Sequence, residues 1–172
     1  PIEKDLILDE EEDEVLIELK KKNLIQETHD GRIELHAVLK NFFYKKMTKD
    51  EKKKYHCIVG EILDKSSLKD RELEALFNYK KARKSKKAVD KLENLLYQLS
   101  SMEDKTFKKL LKDFPLKELS QEDKSQFYEI IGDIYLEKEE EERAVKKYRK
   151  ARDIGEKRSV LEEKIKEIES RL

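Results

Sequence analysis

The most regular apolar pattern in the chain lies between residues 128 and 151, where two runs at helical spacing flank a charged turn. Residues three and four apart share one face of a helix, so each run predicts an amphipathic helix and the pair predicts a helical hairpin. Three small residues, Gly132, Ala144 and Ala151, would let the helices approach closely, with tyrosine rings filling the space beside them. The aligned positions are Tyr128, Ile131, Gly132, Tyr135, Ala144, Tyr148 and Ala151.

This spacing resembles the tetratricopeptide repeat, a helical hairpin with the pattern aromatic-x2-Leu-Gly-x2-Tyr followed by Ala-x3-Phe-x2-Ala. Tyr128 stands at the Trp position, Ile131 at the Leu position and Tyr148 at the Phe position. The terminal Pro of the pattern is absent, and Glu156 lies near that point. The resemblance implies a scaffold of stacked hairpins and names no reaction. An ordinary helical hairpin core is the alternative.

A weaker copy of the pattern is predicted upstream. Ala75, Tyr79 and Ala82 repeat the spacing of the second helix. Gly60 would be the counterpart of Gly132, across a longer turn. The sequence therefore predicts one degenerate repeat and one regular repeat.

Apolar residues at helical spacing predict further helices within residues 48–172. Thr48 with Glu51 forms a capping-box pattern, and Ser120 with Asp123 marks another helix start. A stripe on the last helix would cover the open end of the stack. The residues of this stripe are Leu161, Ile165, Ile168 and Leu172. The predicted helices outside the regular repeat are Thr48–Asp64, Arg71–Ala82, Lys86–Leu99, Thr106–Phe114 and Glu156–Leu172.

Near the start of the chain, the runs Leu24–Thr28 and Arg32–His36 alternate apolar with polar residues and flank the turn sequence His-Asp-Gly. Asp-Gly between such runs predicts a β-hairpin. A helix would follow over Ala37–Met47 with its apolar residues inward. These residues are Val38, Leu39, Phe42 and Phe43. The order of helix, hairpin and helix resembles the second half of a winged-helix domain, and an unrelated α+β hairpin is the alternative.

The predicted fold is mostly α-helical, in two domains. Residues 1–47 would form a partial winged-helix domain with one β-hairpin, whose first helices would precede Pro1. Residues 48–172 would form an α-α superhelix of tetratricopeptide-like hairpins. Because Pro1 opens what reads as folded sequence, we expect a fragment of a longer protein.

Charge and composition narrow the functional classes. The 172 residues include 40 basic and 40 acidic ones, so the formal net charge is zero. This balance gives no support to a general nucleic-acid-coating role, and we expect no membrane association because the apolar runs are too short to span a bilayer. The single cysteine, Cys57, allows no internal disulfide and indicates a reducing cytoplasm. The bias towards Lys and Glu is similar to hyperthermophile usage.

The sequence offers little catalytic chemistry. It contains no phosphate-binding glycine loop, no Cys/His metal spacing and no nucleophile elbow. Its histidines are His29, His36 and His56, and no two of them have ligand spacing. His29 would lie in the hairpin turn, and a structural role is favoured for His56. We therefore expect this chain not to be an enzyme and to bind no metal.

The segment Ile33–Phe43 resembles the winged helix of the STAND signalling ATPases, which include the NB-ARC proteins and the maltose-type transcription activators. In that class a His at the start of this helix, in Met-His-Asp or a relative of it, reaches the nucleotide phosphates. His36 stands at that position here, with Ala37 in place of the Asp. Residues 55–56 and 74–79 resemble the helical repeats that follow. The resemblance implies ATP or ADP in an upstream domain that packs against this chain in cis, and no cofactor in the fragment itself.

The favoured functional hypothesis is a non-catalytic regulatory and protein-interaction module of such an ATPase. The first helix of a tetratricopeptide repeat lines the concave, partner-binding face. The resemblance carries this face onto Gln126, Glu129, Asp133 and Leu136. Its acidic character favours a basic protein or peptide, and a solvated helix face is the alternative.

The alternative function is a DNA-binding transcription regulator with a helical effector domain. The recognition helix of the winged helix would be Asp13–Lys22. Its DNA contacts would be Lys20, Lys21, Lys22 and Arg32. Glu10–Glu14 would face phosphate at the helix N-terminus, so DNA is possible but not favoured.

Overall fold

The computed structural model is mostly helical over the residues that it describes. Its strands are β1 (Ile2–Glu3), β2 (Ile25–Glu27) and β3 (Arg32–Leu35). Its helices are α1 (Ala37–Lys46), α2 (Lys49–Lys65), α3 (Asp70–Lys81), α4 (Ser85–Asn94), α5 (Leu96–Ser100), α6 (Asp104–Leu111), α7 (Gln121–Glu137), α8 (Glu141–Ile154) and α9 (Arg158–Glu169), with a 3-10 turn at Leu116–Glu118. The described residues are 2–3, 17, 19–22, 24–27, 32–35, 37–65, 70–156 and 158–172.

The chain divides into two compact units, Pro1–Tyr55 and His56–Leu172. The domain boundary predicted from the sequence, between residues 47 and 48, falls in the short break between α1 and α2, whereas the division between the two units falls after Tyr55, within α2. Each unit has its own packing.

The first unit contains an antiparallel sheet with the strand order β1-β3-β2. Ile25 lies opposite Leu35, so the two alternating runs pair as the sequence predicts. The predicted turn at residues 28–31 lies outside the described residues. Strand β1 pairs with β3 at one edge of the sheet, with Ile2 opposite Ile33. The sequence did not predict β1, because a strand of two residues carries no usable periodicity.

Helix α1 presents two aromatic side chains to solvent, and the inward orientation predicted for them is wrong. Phe42 is 53% exposed and Phe43 is 55% exposed, and their rings meet edge-on with centroids 5.6 Å apart. The Lys46 ammonium lies 5.7 Å from the Phe42 ring centroid. Helical spacing identifies the apolar face of a helix, but it does not say whether another element covers that face.

In the second unit, α7 and α8 form the hairpin predicted from the small residues. Gly132, Ala144 and Ala151 are buried, and the Tyr148 ring is fully buried between the helices. A Cβ atom built on Gly132 would lie 2.6 Å from Cε1 of Tyr148. This distance is far inside van der Waals contact, so only glycine allows the ring to lie where it does.

The upstream copy packs in the same way. Ala75, Tyr79 and Ala82 on and just after α3 are buried. A Cβ atom on Gly60 of α2 would lie 2.9 Å from Cδ1 and Cε1 of the Tyr79 ring. The glycine–tyrosine contact therefore occurs twice in the second unit.

Helix α9 packs on the hairpin and closes one side of its core. Leu161, Ile165 and Ile168 are buried, as the predicted stripe requires. Leu172 is 67% exposed because it lies beyond the end of α9, so its predicted place in the stripe is wrong.

Two predicted helix starts are confirmed by capping hydrogen bonds. The Ser120 hydroxyl accepts a 3.0 Å bond from the backbone N–H of Asp123. The Thr48 hydroxyl accepts a 3.2 Å bond from the N–H of Glu51, whose carboxylate accepts a 2.7 Å bond from the N–H of Thr48. These bonds satisfy N–H groups that a helix start otherwise leaves without partners.

Two predicted helices differ from the structure. The predicted helix Thr106–Phe114 lies at Asp104–Leu111, and the backbone is already extended at Lys112. The predicted helix Lys86–Leu99 is interrupted at Leu95, whose φ of −95° and ψ of 9° depart from helical values, and it forms α4 and α5. Among the described residues, three that are not glycine have a backbone in the left-handed region. These residues are Arg83, Asp113 and Glu139, with φ of 57°, 60° and 59°.

Candidate protein-interaction surface

The predicted partner-binding residues of α7 contact different parts of the structure. The Gln126 side chain faces α4, where its amide donates a 3.1 Å bond to Glu93 and its carbonyl accepts a 3.0 Å bond from Lys86. Leu136 is partly buried against the hydrophobic core. Gln126 thus contacts neighbouring side chains and Leu136 contacts the core, and their role in partner binding stays a prediction.

Glu129 and Asp133 form the acidic part of this face, and they hold a lysine of the same chain. The Lys164 ammonium on α9 donates 3.0 Å to Glu129 and 3.2 Å to Asp133. The Tyr148 hydroxyl donates a 2.7 Å bond to the same Oδ1 atom of Asp133. The Lys164 ammonium also lies 5.3 Å from the centroid of the Tyr148 ring. We call Glu129, Asp133, Tyr148 and Lys164 the acidic cluster.

The charges of the acidic cluster stabilise one another. Burial lowers the pKa of Lys164. The hydrogen bonds that its ammonium donates to Glu129 and Asp133, together with the charges of these carboxylates, outweigh the effect of burial, so the pKa of Lys164 lies above its ordinary value. Burial and the hydrogen bond to Asp133 raise the pKa of Tyr148, which keeps the phenol neutral. The cluster thus already contains the type of cation that a basic partner would supply.

An equivalent arrangement surrounds the tyrosine of the upstream copy. The Tyr79 hydroxyl donates a 2.9 Å bond to Asp64, which also forms an ion pair with Lys91. The Lys87 ammonium pairs with Glu61 at 2.7 Å and lies 5.3 Å from the Tyr79 ring centroid. In both copies the tyrosine follows its aspartate by 15 residues.

A cleft of about 380 Å³ opens beside this upstream arrangement. Its acids and bases are partly paired, since the Lys87 ammonium lowers the pKa of Glu61 and the Glu61 carboxylate raises the pKa of Lys87. The cleft thus places two carboxylates beside two ammonium groups and the Tyr79 ring. The lining residues are Glu61, Asp64, Lys65, Tyr79 and Lys87.

His56 has a structural environment in the second unit. It is buried, and its Nδ1 lies 2.8 Å from the side-chain oxygen of Asn78, whose amide donates to the Glu74 carbonyl. Because that amide nitrogen is used elsewhere, the Asn78 oxygen faces the ring and Nδ1–H is the donor. Burial lowers the pKa of His56 despite this bond.

The remaining predicted sites belong to the first unit. His36, the nucleotide-sensor candidate, lies outside the described residues, as does His29. Arg32 is the first residue of β3. Lys20 is half-buried, while Lys21 and Lys22 are exposed.

The sequence analysis missed the lysines that pair with the two tyrosine-bound aspartates. Lys91 and Lys164 come from the helix that follows each hairpin, so no local pattern marks them. The constant separation of 15 residues between each aspartate and its tyrosine is the signal in the sequence that points to these pairs.

Chemistry beyond these contacts is sparse in the part of the chain that the structure describes. No group of three or more His, Cys, Asp or Glu side chains there could hold a metal ion. None of the described helices combines the length and apolar character needed to cross a membrane. Comparison with protein-family models, with curated proteins and with solved structures found no match.

Proposed function

We propose that this chain is a non-catalytic regulatory and protein-interaction module built on tetratricopeptide-like hairpins. The observation that supports this proposal is the twofold occurrence of one packing arrangement. In each copy a glycine contacts a buried tyrosine, and the tyrosine hydroxyl donates to an aspartate that pairs with a lysine of the next helix. Repeated units that bury their faces against their neighbours are the basis of helical scaffolds.

The wider setting that we propose is a cytoplasmic STAND-type ATPase. The strand pair β2–β3 followed by α1 has the order required for the second half of a winged helix. His36 would then contact the phosphates of ATP or ADP held by an upstream domain in cis. Since the chain itself supplies no phosphate loop, an ATPase assay on it should detect no turnover, and measurable turnover would refute the non-catalytic assignment.

The partner that we propose for the acidic cluster is a basic segment of another protein. Glu129 and Asp133 are 21% and 30% exposed at their side chains, so both carboxylates remain accessible from solvent. A partner lysine or arginine would take the place of the Lys164 ammonium, which would move into solvent, so that both carboxylates keep a cationic partner. Exchange of one cation for another avoids leaving a partly buried carboxylate without a partner.

Titration of the full chain with a labelled oligolysine peptide tests this assignment. The variant Glu129→Gln/Asp133→Asn removes both charges and keeps an oxygen at position 133 for the Tyr148 hydroxyl. We expect it to weaken peptide binding by about three- to tenfold, as loss of two partly exposed ion pairs should. The control Glu162→Gln/Glu163→Gln removes the same charge from two exposed residues of α9. Equal effects of the two variants would exclude the acidic cluster as the binding site.

DNA binding by the first unit is the alternative function, and the antiparallel pairing of β2 with β3 favours it because a winged helix requires such a hairpin. Its DNA contacts would come from Lys20, Lys21, Lys22 and Arg32. A mobility shift that falls steeply with salt, and that Lys21→Gln/Lys22→Gln abolishes, would support this alternative. Absence of any shift at low salt would exclude it.

A further inference from the structure

We propose that Tyr128, Lys147 and Lys150 form a docking site for an acidic segment of a partner protein. We call these three residues the basic site. The site goes beyond the function proposed above, because it lies on other residues of the α7–α8 hairpin and selects the opposite charge.

The geometry brings two ammonium groups to one aromatic ring. In α8, Lys147 and Lys150 are three residues apart and therefore share a helix face. Their Nζ atoms lie 5.8 Å and 5.6 Å from the centroid of the Tyr128 ring on α7. The hairpin thus places two positive charges of α8 beside an aromatic ring of α7.

Within the part of the chain that the structure describes, Lys147 and Lys150 form no ion pair with a carboxylate, whereas Lys164 of the acidic cluster bonds two carboxylates. Burial lowers the pKa of Lys147, the nearby Lys150 ammonium lowers it further, and no acidic group opposes these effects. In a chain of zero net charge, this is a local excess of positive charge that a carboxylate-bearing ligand would neutralise.

The arrangement favours an acidic protein segment over single-stranded nucleic acid. Nucleic-acid sites of this kind stack bases on open aromatic faces. The Tyr128 ring instead lies against the two ammonium groups. The Phe127 ring also packs edge-on against it, with ring centroids 5.3 Å apart. A glutamate or aspartate side chain needs only the ammonium groups, and Lys150 is exposed to meet it.

The test is a fluorescence-anisotropy titration of the full chain with a labelled oligoglutamate peptide at low salt. We expect wild-type binding that Lys147→Gln/Lys150→Gln weakens by about three- to tenfold, the loss expected for two exposed ion pairs. The charge-conserving variant Lys147→Arg/Lys150→Arg should bind within about twofold of wild type. Circular dichroism melting of each variant separates loss of binding from loss of folding.

A matched control removes the same charge elsewhere. Lys105→Gln/Lys109→Gln alters two exposed lysines one turn apart on α6, and it should leave oligoglutamate binding unchanged. Equal weakening by both glutamine variants, or no wild-type binding, would overturn the proposal. Stronger competition by inorganic phosphate or by a single-stranded oligonucleotide than by unlabelled oligoglutamate would overturn the choice of an acidic segment. If a Gln variant unfolds, the arginine variant tests the proposal on its own. Loss of oligoglutamate binding in a folded arginine variant would contradict the proposal.

Discussion

Gly132 and Tyr148 are in such close contact that a methyl group on Gly132 would lie between 2.6 and 3.0 Å from three atoms of the tyrosine ring. The ring is fully buried, so a shift away from an added methyl group would disturb the packing around it. This contact sets the distance between α7 and α8. The acidic cluster lies at its edge, because the same tyrosine donates its hydroxyl hydrogen bond to Asp133.

Replacement of Gly132 by Ala should therefore destabilise the chain. Alanine is favoured over glycine inside a helix by about 1 kcal/mol, but the overlap with the Tyr148 ring should cost up to about 3 kcal/mol. The net destabilisation should therefore reach about 2 kcal/mol. Urea unfolding measures the free energy of unfolding. In a Tyr148→Leu background, where the ring is absent, the same Gly132→Ala change should be neutral or stabilising. Equal destabilisation in both backgrounds would contradict the contact.

The hydrogen bond from Tyr148 to Asp133 makes a separate prediction. Tyr148→Phe removes only the hydroxyl group, and it should lower the free energy of unfolding by about 1–2 kcal/mol because the acceptor is a carboxylate. The control Tyr97→Phe alters a side chain that is 77% exposed and should have no measurable effect in the same urea titration. No difference between the two variants would mean that the bond contributes nothing to stability.

The turn between α7 and α8 contains a position where glycine should be better than the native residue. Glu139 has a φ of 59°, which is unfavourable for a residue with a Cβ atom. Glu139→Gly should raise the free energy of unfolding by about 1 kcal/mol. A glycine substitution at Lys146, which is exposed in the interior of α8, should lower it by about 1 kcal/mol. Thermal melting of both variants should show shifts of opposite sign.

His56 should make stability depend on pH. Its pKa is lowered in the folded chain, chiefly by burial, from an ordinary value of 6.5, so the unfolded chain binds a proton more readily. Stability from this group is present in full above pH 6.5 and is lost as the pH falls through that value towards the folded pKa. The difference in unfolding free energy between wild type and His56→Gln should therefore shrink as the pH is lowered. A difference in unfolding free energy that grows as the pH is lowered would contradict a lowered pKa of His56 in the folded chain.

Local spacing was sufficient to predict the α7–α8 hairpin. Gly132, Ala144 and Tyr148 lie within one short stretch. When two helices pack closely, small residues lie where the backbones approach, and an aromatic ring fills the space beside them. The same reasoning found the weaker copy around Tyr79, because small residues and an aromatic ring recur at the same intervals.

Contacts between distant residues could not be predicted in this way. Lys164 reaches Glu129 across 35 residues of sequence, so nothing near Glu129 indicates that its charge is already paired. Similarly, Phe42 and Phe43 form an apolar pair on α1, but their exposure depends on whether other elements cover them. Periodicity gives the orientation of each helix, whereas charge pairing and coverage depend on the tertiary arrangement.

The most direct test of the proposed docking function is the affinity of Lys164→Gln for oligolysine, measured by calorimetric titration beside wild type. This change removes the ammonium that occupies Glu129 and Asp133. If those carboxylates receive a basic partner, the variant should bind the peptide more tightly, by about three- to tenfold for release of two ion pairs. Unchanged or weaker binding of oligolysine by a folded Lys164→Gln variant would contradict the proposal that Glu129 and Asp133 bind a basic partner.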